Sequence, residues 1–85
     1  MPARTAVVAS RIGLHARPAS LVSLAAAGTG VPVVIEAHGR SVNAASILGI
    51  LSLDVNHGDE VVVSADDPAA VDALIALLER DLTED

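Results

Sequence analysis

RTAVVASRIGLHARPAS, residues 4–20, changes character twice. Residues 4–9 (RTAVVA) are β-branched and alanine-rich and read as a strand. Residues 10–18 (SRIGLHARP) read as a loop carrying Gly13, with Pro18 near its end. From Ala16 to Ala27 the composition is helical. Pro18 falls in the first turn, where its missing N–H is no loss, and Gly28 stands where a left-handed C-cap is wanted. Leu21, Val22, Leu24 and Ala25 recur at helical spacing.

Working outward, residues 31–37 (VPVVIEA) and 40–43 (RSVN) read as two strands of a hairpin closed by His38-Gly39. Ser46 precedes ILGILSL as the N-cap of a short apolar helix. A turn at residues 56–59 (NHGD) leads to a strand at 60–65 (EVVVSA). The last element starts with Asp67 as N-cap and Pro68 as first helical residue. Val71, Leu74, Ile75, Leu78 and Leu82 form its apolar stripe, with Asp72, Glu79 and Arg80 on the other side. The order is β-α-β-β-α-β-α. With so few short strands, the economical arrangement is α+β: a four-stranded, largely antiparallel sheet with helices covering one face and the other face solvated.

The chain has 85 residues, enough for one domain (1–85) with a modest core. Apolar residues make up 52% but none is aromatic, so the core must be built from Ala, Val, Leu and Ile. Without aromatic rings there is no platform for stacking bases. Five Arg and no Lys against eleven acids give a net charge of −6, the wrong sign for a nucleic-acid backbone. No cysteine is present, so there is neither a disulfide framework nor a thiolate metal site. The apolar runs are far shorter than the roughly 20 residues of a membrane span, and Arg4, Arg11 and Arg17 interrupt any signal-like block. The expectation is a soluble, cytoplasmic protein that binds no nucleic acid, inserts in no membrane and acts as a monomer.

The chemistry concentrates at residues 13–20 (GLHARPAS). His15 stands just ahead of a helix start, where amides lack intrahelical acceptors and the dipole places about half a positive charge. Arg17 adds a fixed cation suited to paired hydrogen bonds with an anion. The pattern suits reversible phosphorylation of the imidazole, with Arg17 and the helix amides favouring charge on the phosphoryl oxygens. A lone His at a helix start reads first as an ordinary cap or loop residue, so it is the whole octet that counts.

That octet resembles the phosphorylation-site signature of the HPr family, the histidine-containing phosphocarriers of the bacterial phosphoenolpyruvate-dependent sugar phosphotransferase system. Residues 41–53 (SVNAASILGILSL), the chain length and the element order are similar as well. The resemblance implies an open-faced β-sandwich of four antiparallel strands and three helices. It implies a carrier rather than an enzyme, without a cofactor, that accepts phosphate on Nδ1 of His15 from enzyme I and passes it to enzyme IIA domains of sugar permeases. Arg17 would contact the phosphate.

Ser46 has two readings. One is a plain N-cap worth about 1 kcal/mol. The other, implied by the resemblance, is a regulatory site for HPr kinase/phosphorylase, whose phosphorylated form serves carbon catabolite control through a transcription factor. Ala45, where many relatives carry a basic residue, weighs against kinase recognition. Ile47, Leu48 and Leu51 read from sequence as core, with Ile50 and Leu53 also available to pack inward. By resemblance Ile47, Leu48 and Leu51 are instead an exposed docking patch, flanked by Ser20, Leu21 and Leu24. Leu24 and Ala27 replace basic residues common in relatives, which points to a more apolar interface. The spacings of His15, His38 and His57 match no metal motif, so His38 and His57 read as solvated turn residues. The acidic end, Glu84 and Asp85, reads as a solvated terminus. Three rivals remain: a nitrogen-related or fructose-dedicated paralogue, a regulatory binding protein, and a small enzyme using His15 as general base.

Overall fold

The computed structural model describes residues 2–80. The elements follow the expected order: β1 (Ala3–Val7), α1 (Ala16–Gly28), β2 (Val33–Ala37), β3 (Arg40–Asn43), α2 (Ile47–Ser52), β4 (Glu60–Ala65) and α3 (Pro68–Leu78). The strands form one sheet in the order β1-β4-β2-β3, antiparallel throughout. The hairpin turn lies where His38-Gly39 predicts it. His38 and Gly39 have φ of 53° and 77°, both left-handed, the combination that matches the twist of a two-residue hairpin.

Alternation along the strands separates the two sheet faces. Ala6, Val33, Ile35, Ala37, Val61, Val63 and Ala65 are buried on the inner face. The register sets Thr5, Val62, Glu36 and Ser41 side by side on the outer face, where Thr5, Glu36 and Ser41 are exposed. All three helices lie on the inner side. Helix α3 packs on β1 and β4, α1 packs between α3 and α2, and α2 borders β3. The open-faced sandwich is the observed fold.

The helix starts obey their caps. Asp67 accepts the Ala69 N–H at 3.0 Å, ahead of Pro68, and Ser46 accepts the Gly49 N–H at 3.0 Å. Val71, Leu74, Ile75 and Leu78 are buried as their spacing predicts, and Asp72 on the other side of α3 is exposed and meets Arg4 at 2.8 Å. With both groups more than half exposed, that ion pair is worth little. Leu82, Glu84 and Asp85 lie outside the described residues.

Two expectations need correction. Gly28 is not a left-handed cap: it belongs to α1, Thr29 caps the helix in the right-handed region, and the left-handed residue is Gly30 at φ 75°. The Thr29 hydroxyl donates to the Ala26 carbonyl at 2.7 Å and holds that last turn. The apolar residues of α1 also divide differently from a simple stripe. The buried face is Pro18, Ala19, Val22, Ser23 and Ala26, while Leu21 and Leu24 are exposed. Small residues face inward because α1 is wedged between two other helices.

Leu74 is completely buried in α3. Leu74→Ala should cost about 2–5 kcal/mol in denaturant unfolding, a large part of the roughly 5–15 kcal/mol typical of a domain. A loss well under about 1 kcal/mol would show that Leu74 does not fill the core.

Candidate functional site

The site is assembled from the loop that precedes α1. Gly13 donates its N–H to the Ser10 carbonyl and Leu14 donates to the Val55 carbonyl, both at 2.9 Å. Leu14 is buried and acts as the anchor. His15 follows as the N-cap of α1, in extended backbone geometry (φ −89°, ψ −164°). Its carbonyl accepts the first helical bond, from Ala19 N–H at 2.8 Å, but its side chain makes no capping bond. The imidazole is therefore not engaged in holding the helix.

His15, Ala16 and Arg17 are exposed, whereas Pro18 and Ala19 are buried. The helix is thus rooted in the core at its third and fourth residues while its first turn faces solvent. No acidic residue occupies that turn, so no carboxylate of the helix itself offsets the positive end of the dipole. Arg17 stands in the same turn and reinforces it. His15 and Arg17 thus share the exposed start of α1, and a helix start of this kind can receive an anion beside an imidazole nitrogen.

Ser46 lies at the start of α2, exposed, with its Oγ accepting from Gly49. At the other end of α2, Arg40 donates to the Ser52 carbonyl at 3.0 Å, a cation at the negative end of the dipole. Ile50 and Leu53 point into the core; Ile47, Leu48 and Leu51 do not. Leu48 is 76% exposed, and Leu24 on the neighbouring α1 is 67% exposed. The inward reading of Ile47, Leu48 and Leu51 is excluded by this packing. Ser20 is half-buried, with its carbonyl accepting from Ser23 Oγ at 2.9 Å.

His38 and His57 are both exposed in turns. His38 Nε2 lies 3.2 Å from Asp59 Oδ2, so it has an acidic neighbour that the sequence reading left out. Among the described residues no cluster of three or more His, Cys, Asp or Glu is placed to hold a metal. None of the described helices is long and apolar enough to cross a membrane. Two features of the site escaped sequence reasoning. One is the seat of the loop on Val55, a contact distant in sequence. The other is the left-handed backbone of Asp54, φ 54°, for which the only signal is the tolerance of Asp for that region.

Comparison with known proteins bears on the family and the fold. The family model described as PTS HPr component phosphorylation site matches residues 2–80. A phosphocarrier protein HPr from Streptomyces coelicolor is 52% identical over 63 residues, which cover 73% of this chain and 68% of the relative. Among solved structures, HPr-C-His from Thermoanaerobacter tengcongensis superposes with a TM-score of 0.91 at 38% identity, covering 100% of this chain and 99% of the other. A phosphocarrier protein HPr from Bacillus anthracis gives 0.86 at 32% identity, covering 91% and 95% of the two chains. With a match that runs from the first described strand to the last helix, the chain belongs to the HPr family, the phosphocarrier proteins of the phosphotransferase system.

Proposed function

We propose that the phosphoryl group rides on Nδ1 of His15, received from enzyme I and delivered to enzyme IIA domains in the cytoplasm during sugar uptake. The observation that carries this reading is the exposed imidazole at the N-cap of α1, unused for capping, in a first turn with a guanidinium and no acid. The ring nitrogen attacks phosphorus as the bond to the donor breaks, and delivery to the next acceptor runs the same step in reverse. Arg17 and the positive helix end favour the charge on the phosphoryl oxygens. The group is surrendered rather than consumed, so the protein is a carrier in other proteins' catalysis.

Docking is assigned to Ser20, Leu21 and Leu24 on α1 and to Ile47, Leu48 and Leu51 on α2. These helices pack against each other and expose apolar side chains where a globular protein otherwise buries them. A relay partner must leave after each transfer, which suits a small interface. Ser46 adds a control point. Phosphorylated by an HPr kinase/phosphorylase, it would place about −1.5 to −2 charges directly ahead of Ile47 and Leu48. That form would serve a catabolite-control transcription factor as an additional role.

Incubation with phosphoenolpyruvate and enzyme I should add one acid-labile phosphate, located on His15 by mass spectrometry and lost in His15→Ala. Labelling that survives the substitution would remove His15 from the site. Arg17→Ala should leave thermal unfolding nearly unchanged and slow transfer by about 10-fold or more, the loss expected for one stabilising donor; an unchanged rate would exclude a role on the phosphoryl oxygens. Ser46→Asp keeps a capping carboxylate, so its stability should stay within about 0.5 kcal/mol, while transfer from enzyme I slows. Equal transfer rates for Ser46→Asp and the unmodified protein would argue against charge control at this position.

A further inference from the structure

Gly13 lies two residues before His15 and has a left-handed backbone, φ 74°. A Cβ placed there would press into the Val55 carbonyl oxygen and lie 2.7 Å from Asn56 Cα. The obstruction is backbone rather than a flexible side chain, so it cannot yield without moving the chain. The neighbouring Leu14 N–H donates to the same Val55 carbonyl at 2.9 Å. The loop ahead of His15 is therefore seated directly on the connection between α2 and β4.

That seat is itself braced. Asn56 donates its backbone N–H to Asp59 Oδ2 at 2.9 Å and its Nδ2 to the Asp54 carbonyl at 3.3 Å. Val55 is completely buried. The seat is thus a firm surface, and the position of the loop upon it sets where His15 emerges at the head of α1.

We propose that Gly13 is a positioning residue for phosphoryl transfer: its missing side chain lets the loop rest on Val55–Asn56, and this contact fixes the imidazole against the first turn of α1. This rests on the assignment of His15 as the phosphorylated residue. A displacement of about 1 Å in reacting geometry can cost up to about 100-fold in rate. Docking residues on the exposed sides of α1 and α2 lie elsewhere, so binding of the partner should be little affected. The effect belongs in the maximal rate.

The test uses the full-length protein as the varied substrate of enzyme I with phosphoenolpyruvate. Gly13→Ala should lower kcat about tenfold or more with KM within about twofold of the unmodified value. Leu74→Ala serves as a control for lost stability and should retain the unmodified kcat below its melting temperature. If Gly13→Ala does not fold, an ester in place of the Gly13–Leu14 amide removes the donor to Val55 without adding a side chain. It should lower kcat by about threefold or more with KM held. An unmodified kcat in whichever folded variant is measured, or an equal fall in Leu74→Ala, would overturn the positioning role. Failure of the unmodified protein to accept phosphate, or retention of the label by His15→Ala, would instead overturn the assignment of His15.

Discussion

The inner face of the sheet must be covered, and without aromatic residues it is built from Ala, Val and Ile. Ala6, Val33, Ile35, Ala37, Val61, Val63 and Ala65 present a low surface of short side chains. Burial of such a surface is the dominant favourable term in folding. The layer of three helices removes it from water. Val71, Leu74, Ile75 and Leu78 supply the bulk over β1 and β4, while the small residues Ala19, Val22 and Ala26 line the buried side of α1. The placement of all three helices on one face follows from this requirement.

What that layer leaves outside is what the proposed relay would use. Because α1 is rooted by Pro18 and Ala19, its first turn, with His15, Ala16 and Arg17, stays exposed. Because α2 needs only Ile50 and the following Leu53 to hold it down, Ile47, Leu48 and Leu51 remain available on its outer side. An anchored, solvent-facing helix start with no acid in its first turn attracts anions, and apolar side chains left in water invite a transient partner. A phosphocarrier needs both within one small surface, and the packing of α1 against α2 brings their two helices together.

Much of this is legible in the sequence. Asp67-Pro68 marked the start of α3, Ser46 marked the start of α2, and His38-Gly39 marked the hairpin, because caps and tight turns depend on chemistry within three or four residues. The octet at residues 13–20 points to the proposed site because the helix start, the imidazole and the guanidinium are all local. The end of α1 departs from what the same local reasoning predicts. Gly28 looks like a cap, but Thr29 closes the helix through its hydroxyl and shifts the left-handed residue to Gly30.

The sequence by itself determined the element order, the N-caps of α2 and α3, the apolar composition of the core and the acid-free first turn of α1, since each is set by neighbours along the chain. Only the tertiary structure decided that β1 pairs with β4 and β4 with β2, that Leu24 and Leu48 face outward, and that the His15 loop rests on Val55. An apolar residue on a short helix fits a core or a surface equally well until the neighbouring elements occupy their places. A glycine in a loop gives no sign of the backbone it touches 42 positions further on. Those contacts join segments distant in the chain, and they exist only once the sheet and its helical cover have formed.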